Sequence, residues 1–481
     1  MAHRALVVFL VSACVALGGN PAALAYPTDD YERTGIRRLK WQYEVDFKGR
    51  RGRKMVPGGR WPAKQIQLRM RDVGRDFELT AETPKDPQLQ EALEKVLKTG
   101  RWRRYNVAIL DITDPSKPRY AGVNEHASQT PGSVAKVVCA AGMLELLKQR
   151  FPDDIAKREE LLRTHEVSAD DWARSDSHTV PFVYGDHGEK IVHKKIRTGD
   201  TFTLWEWMDH ALSASNNSAA STLWREATLM KLLGNDYPPE KYGKELWAKW
   251  DREAMTEASF DVVNKPLIDA GIDPEEFRLR LYFTTGANRY IRPKSSGATP
   301  FSLIQWMVRV EQGRMVDEFS SLELKRMLYL TRRRVRYFYT KKLNEFGAFF
   351  KTGSLYRFSE NAERIQYQGD LINVLNALVE VDTSPPIEPV VETVTEEAGT
   401  AKAKPEAVAK PPPLEIDAIT GPPPQADKPR EPANEPPTIY IVAVMSNELL
   451  RNAALDHSKL AAAIHEIVTA PVTTKAEPSA P

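Results

Sequence analysis

The sequence predicts a mixed α/β protein, and three observations carry that prediction. A helix-patterned segment over Pro84 to Thr99 precedes two strand-like runs separated by a turn, and a long apolar helix follows. A helix-rich middle extends from Leu204 to Leu330. Three further strand-like runs and a closing amphipathic helix come last.

The ends and the composition set the frame. At 481 residues the chain is long enough for two or three domains, and 42% hydrophobic residues suffice for a large core. The net charge of +2 excludes no partner until it is split regionally. Residues 1–25 read as a signal peptide: Arg4 gives a positive start, Ala5 to Gly18 is apolar, and Ala23-Leu24-Ala25 is a cleavage site. Export to the periplasm follows. A competing reading takes Val11-Ser12-Ala13-Cys14 as a lipobox, which would make the protein a lipoprotein anchored through Cys14. Once the leader is removed only Cys139 remains, so no intramolecular disulfide can form. Its apolar surroundings predict a small buried hydrophobe.

Residues 26–86 differ in character. From Arg33 to Arg75 basic residues heavily outnumber acidic ones, with Trp41 and Trp61 interspersed and Pro57-Gly58-Gly59 as a turn. One reading is a cationic surface for anionic envelope polymers or lipid headgroups. The plainer one is a small β-rich extension with solvated charges, and the alternation from Gln65 to Met70 predicts a strand there. No nucleic-acid partner is expected.

The main domain spans 87–469. In the helix over Pro84–Thr99, Leu89, Leu93, Val96 and Leu97 share one stripe. Tyr105–Asp111 is a predicted strand, Asp114-Pro115-Ser116-Lys117-Pro118 a turn, and Arg119–Val123 the return. Ser133 opens an apolar helix to about Leu147. A polar stretch runs from Arg150 to Thr201. Helices are predicted from Leu204 to Leu212, Asn217 to Leu233, Trp247 to Leu267, Phe301 to Gln312 and Ser321 to Leu330. Strands follow at Phe346–Thr352, Leu371–Val381 and Thr438–Met445, then a helix at His457–Thr469. Fourteen of the 34 prolines fall within 383–437, a composition that cannot bury enough surface to offset its ordering entropy. This is predicted to be a disordered insert between two strands of one sheet, and 470–481 a disordered tail.

Three short runs carry the chemistry: Ser133-Val134-Ala135-Lys136, Ser215-Asn216-Asn217 and Lys351-Thr352-Gly353. A serine hydroxyl is a weak nucleophile and needs a base in reach. At i and i+3 of a helix Lys136 can reach Ser133, and the helix start favours developing negative charge. Burial beside a second cation, with Lys351 the candidate, would favour a neutral Lys136. Ser215 can relay a proton to a leaving group, and Asn217 can orient a substrate carbonyl. On a strand, Lys351 and Thr352 could hold a carboxylate, Gly353 admits close approach, and the Ser354 amide could join that of Ser133 as an oxyanion donor.

In order and spacing these runs resemble the penicillin-recognising serine hydrolases, meaning class A-type β-lactamases and D-Ala-D-Ala peptidases. Pro131-Gly132 before Ser133, Thr198-Gly199-Asp200-Thr201-Phe202-Thr203-Leu204 before the second run, and Gly297-Ala298-Thr299-Pro300 before the third extend the likeness. The resemblance implies a β-lactamase/transpeptidase-like fold, an antiparallel sheet flanked by helices plus an all-helical subdomain. It implies catalytic roles for Ser133, Lys136, Ser215 and Lys351, substrate binding by Asn217, Thr352, Gly353 and Ser354, and no cofactor. The substrates would be β-lactams or D-Ala-type cell-wall peptides.

One departure weighs on the second half-reaction. Class A β-lactamases are similar to one another in an E-x-x-L-N run that activates the deacylating water, and none lies between Asn217 and Lys351. Glu275 and Glu276 fall in that region, where Asp273-Pro274 reads as a surface helix start. Acylation is expected, with slow deacylation. The alternatives are a β-lactamase with a non-standard deacylating residue and a non-catalytic envelope-binding scaffold. His178, His187 and His193, with Asp186 and Glu189, match no metal-binding spacing and read as solvated loop residues around a turn, so no metal is expected.

Overall fold

The computed structural model describes residues 29–185, 190–331, 334, 336–356, 366–367, 370–371, 373–387, 436–446 and 453–472. The leader with Cys14, the Asp186–Glu189 turn, most of the proline-rich insert and residues 473–481 lie outside the described residues. Among the described residues no helix is long and apolar enough to cross a membrane.

Five strands form one antiparallel sheet: β1 (Tyr105–Asp111), β2 (Arg119–Val123), β3 (Gly347–Tyr356), β4 (Asn373–Asp382) and β5 (Ile439–Ser446), in the order β2-β1-β5-β4-β3. The early hairpin thus joins the late strands through β1 and β5, with Leu110 opposite Ile441 and Ala108 opposite Ala443. Successive side chains point to opposite faces. Val107, Ile109, Phe350, Val379 and Val442 face helices α2 (Pro87–Thr99) and α9 (Ala453–Thr469), packing on Leu89, Leu93, Leu460 and Ile464. Ala108, Leu110, Phe349, Leu378 and Ile441 face the larger core. Both faces are covered, which is why the strands are apolar nearly throughout.

Helices α3 (Lys136–Arg150), α4 (Leu204–Leu212), α5 (Asn217–Leu233) and α6 (Arg252–Asp269), together with the helix Ile155–Thr164, make an all-helical subdomain. Helices α7 (Pro300–Glu311) and α8 (Glu318–Tyr329) lead back to the sheet. The predicted fold class holds. Several boundaries are set by caps: Asp86 accepts from the Leu89 amide at 2.8 Å, Thr203 from Glu206 at 3.2 Å, and Thr299 forms a capping box with Ser302. The predicted Trp247–Leu267 helix is broken, because Asp251 caps a fresh start at Arg252. The polar stretch after Arg150 holds the Ile155–Thr164 helix and a hairpin of Thr179–Tyr184 with Lys190–Lys195.

The basic N-terminal segment differs from the β-rich extension expected. Its longest element is α1, a helix over Arg37–Phe47, and Gln65–Met70 is not a strand. Ile66 and Met70 are buried, but no strand lies alongside. Instead the Arg69 amide donates to Glu311 Oε2 at 2.6 Å and the Met70 amide to Glu311 O at 3.1 Å. Beneath this strap Lys325 Nζ lies 2.7 Å from Glu311 and 2.8 Å from Glu380, all three wholly buried. Trp61, fully buried, packs against Tyr329 and Phe349.

Many of the segment's cations are used internally. Arg38 is bidentate to the buried Asp209 at 2.5 Å, Arg37 pairs with Glu206 at 2.8 Å, Arg33 with Glu159 and Glu323, and Arg69 with Asp382 at 2.6 Å. Arg51, Arg53 and Lys54 are exposed together in one loop.

Candidate active site

The cleft lies where the first turn before α3, the loop between α4 and α5, and strand β3 meet. Gly132 takes a left-handed φ of 58°, a conformation glycine adopts without a Cβ penalty, and so turns the chain into a 3₁₀ segment, Gly132–Ala135. In that geometry residues i and i+3 eclipse, which sets Ser133 and Lys136 on one side. Ser133 is half-buried, whereas Lys136 is fully buried.

The Ser133 loop is fastened to the sheet by residues without a motif. Gln129 Nε2 donates to Asn376 Oδ1 at 2.6 Å, and Asn376 Nδ2 donates to the Thr130 carbonyl at 2.9 Å. Asn376 lies on β4 opposite Gly353. A Cβ on Gly353 would stand 2.8 Å from both the Pro131 carbonyl and the Ser133 nitrogen, so the K-T-G strand runs directly against the backbone of the Ser133 turn. Only glycine permits that approach.

The two lysines converge on the S-x-N turn. Lys136 Nζ donates to the Ser215 carbonyl and, at 2.6 Å, to Asn217 Oδ1. Lys351 Nζ donates to Ser215 Oγ at 2.8 Å and to the Thr352 carbonyl at 2.9 Å. Ser215 has a φ of 56°, a strained value for a residue with a Cβ. Asn216 accepts from the Ala219 amide at 2.7 Å and so caps α5. The structure thus brings together Ser133, Lys136, Ser215, Asn217, Lys351, Thr352 and Gly353. Ser354 lies next along β3, and its buried hydroxyl has no hydrogen-bond partner among the described residues.

Burial pushes the Lys136 ammonium down to about 7; Asp176 and Cys139 oppose the shift, and Arg336 adds to it. Burial first, then Lys136 and Arg336, push Lys351 well below the usual lysine range. The cation acting on Lys136 beyond burial is therefore Arg336, a residue absent from the sequence reading. Its Nη1 donates to Thr352 Oγ1 at 2.7 Å, and its own φ is 61°. Three basic side chains thus surround one cleft. Cys139 is fully buried, as expected, and burial raises its thiol.

Phe283 presents its ring to Lys136, with its centroid 5.0 Å from Nζ. Asp273-Pro274 begins a turn rather than the expected helix, because Arg278 pairs with Gly297 four residues later. Glu275 is exposed. Glu276 is engaged by His126 Nδ1 at 2.7 Å and Thr299 Oγ1 at 2.9 Å. His178 contacts Asp176, and no group able to hold a metal occurs among the described residues. A separate cavity of about 440 Å³ at the opposite sheet edge is lined by Lys85, Glu94 and Glu125. Lys85 already pairs there with Glu125, and Glu94 with Lys98.

No protein-family model and no curated protein matches the chain. It is similar to solved structures. Among them are β-lactamases and PBP-A. A β-lactamase from Sphaerobacter thermophilus DSM 20745 is 13% identical with a TM-score of 0.40, covering 79% of this chain and 94% of its own. The TLA-3 extended-spectrum β-lactamase is 11% identical with a TM-score of 0.44, covering 79% and 97%. PBP-A is 9% identical with a TM-score of 0.42, covering 79% and 97%. The functional reading rests on the side chains of the cleft.

Proposed function

We propose that the chain is an exported, periplasmic serine hydrolase that forms an acyl-enzyme on Ser133 with β-lactams or D-Ala-type cell-wall peptides. The observation that carries this reading is the convergence of two buried, pKa-depressed lysines on Ser215 and Asn217 beside the Ser133 turn.

Neutral Lys136 takes the Ser133 hydroxyl proton as Oγ attacks the amide carbonyl. The Ser133 and Ser354 amides receive the oxyanion, and Asn217 orients the substrate amide. Ser215 gives its proton to the departing nitrogen and regains one through Lys351 or the now protonated Lys136. The C–N bond breaks, leaving an ester on Ser133. Arg336, Lys351 and Thr352 hold the substrate carboxylate, with Arg336 supplying a planar donor fork. Water then cleaves the ester.

Among the described residues that last step lacks an evident base. Asp176 is the carboxylate whose charge acts on Lys136, but its oxygens already accept from Asn217, Ser218 and His178. Fast acylation and a long-lived acyl-enzyme are the expected outcome. Arg51, Arg53 and Lys54, exposed together in one loop, offer an anionic envelope polymer or lipid surface a cluster of cations. Fluorescent penicillin resolved on a denaturing gel tests the main reading. Labelling of the native protein and none of Ser133→Ala is expected; labelling that survives in Ser133→Ala would sink it.

A further inference from the structure

Between the 3₁₀ segment Asp171–Ala173 and the strand Thr179–Tyr184 runs a short loop that no motif marks. It docks onto the S-x-N turn at several points. Ser218 Oγ donates to the Ala173 carbonyl at 2.6 Å, and Asn216 Nδ2 donates to the His178 carbonyl at 3.1 Å. At its centre Asp176, with a side chain only 4% exposed, accepts four hydrogen bonds. Its Oδ2 takes the Asn217 amide at 2.6 Å and the Ser218 amide at 3.2 Å. Its Oδ1 takes the His178 amide at 3.0 Å and lies 2.7 Å from His178 Nδ1. Asn217 in turn holds Lys136 through its side chain at 2.6 Å. One carboxylate is thereby linked through a single residue to the general base.

We propose that Asp176 is a positioning residue of the Ser133 centre: it fixes the Ser215–Asn217 turn against Lys136 and supplies the negative charge that faces that lysine. The inference rests on the reading of Ser133 and Lys136 as nucleophile and base. Two features of the geometry support it beyond helix capping. Asn216 already caps α5 through Ala219, so the amides that Asp176 takes belong to the residues that shape the turn. The turn also holds Ser215 in a left-handed conformation, which must be restrained from both sides to persist. Asp176 does so from the helical subdomain, and Lys351 from the sheet.

The charges facing Lys136 are Asp176, which favours its ammonium form, and Arg336, which disfavours it; the Cys139 thiol beside them is kept protonated by burial. Lys351 shares the same turn, and the groups acting on Asp176 are His178 and Lys136. Burial opposes ionisation of Asp176, but His178 and Lys136 hold its carboxyl down to about 2. It therefore stays negative throughout the range in which Lys136 titrates.

The test is the pH profile of acylation by labelled penicillin in the full chain, with circular dichroism to verify folding. In Asp176→Asn the lost negative charge should move the ascending limb to lower pH by about one unit. Displacement of the turn should reduce the plateau rate roughly a hundredfold. Asp176→Glu, which keeps the charge, should hold the limb at the native position. If Asp176→Asn fails to fold, Asp176→Ser, small enough to admit water in place of the carboxylate, carries the same expectation. A variant that acylates more slowly with its limb unmoved shows only local structure and overturns the inference, as does native behaviour of Asp176→Asn. No acylation of the native protein overturns the serine reading first and this inference with it.

Discussion

Lys351 Nζ donates to Ser215 Oγ at 2.8 Å across 136 residues of chain, and this bond joins the sheet to the helical subdomain inside the cleft. Neither partner is explained by stability. A buried lysine with no carboxylate partner is costly, and Ser215 is held in a strained backbone conformation. Lys351→Met is therefore expected to melt at the native temperature or above it, while acylation by penicillin falls by about a hundredfold or more. Thermal unfolding and labelling kinetics on the same sample check both halves.

Acylation should depend on pH through Lys136. Its ammonium is pushed down to about 7 by burial, so the neutral base predominates above that value and is lost below it. The acylation rate should rise with pH through about 7 and then level. A stopped-flow profile from pH 5 to 9 measures it; a rate flat across this range would exclude Lys136 as the base.

Gly353→Ala should leave the fold recognisable and block the chemistry. The new methyl would stand 2.8 Å from Pro131 O and Ser133 N, and both are backbone atoms that cannot rotate away. The expected cost is about 1–3 kcal/mol of stability. Acylation should fall about a hundredfold, because the Ser133 turn must shift. Denaturant unfolding and penicillin labelling report the two effects.

The N-terminal segment should prove integral to the domain. Arg38→Ala leaves the wholly buried Asp209 without its bidentate partner, and loss of one partner of a buried pair costs about 3–5 kcal/mol. Chemical denaturation should show a loss of that size. Envelope binding is therefore better probed with Arg51→Glu, Arg53→Glu and Lys54→Glu than by deletion. Those variants should unfold like the native protein and lose affinity for anionic vesicles or peptidoglycan in sedimentation, if the loop is the contact.

The legible part of the site was the part whose chemistry needs particular residue types at fixed spacing. Ser133 with Lys136, Ser215 with Asn217, and Lys351 with Gly353 could be read because a turn, a helix start or a close backbone approach admits few alternatives. Arg336 and Asp176 were not legible. Asp176 reaches the cleft from a loop and Arg336 from the start of the short 3₁₀ segment Arg336–Phe338; a charged side chain in such places is ordinarily solvated, so only the tertiary path gives each a role. Gln129 and Asn376 were hidden for the same reason, since their bond spans 247 residues. The strand expected at Gln65–Met70 failed differently. Ile66 and Met70 are buried as the alternation required, but Gln65 is buried too and Leu68 only partly, and Glu311 supplies the hydrogen-bond acceptors that a neighbouring strand would have offered.

The proposed Ser133 centre has the groups for acylation and, among the described residues, no evident base for deacylation. Following the intact mass of the penicillin-treated protein over time tests it most directly. The prediction is rapid gain of one penicillin mass, mapping to the peptide containing Ser133 and persisting for hours after excess drug is removed. No adduct on Ser133, or an adduct that vanishes within seconds as penicillin is hydrolysed in many turnovers, would contradict it.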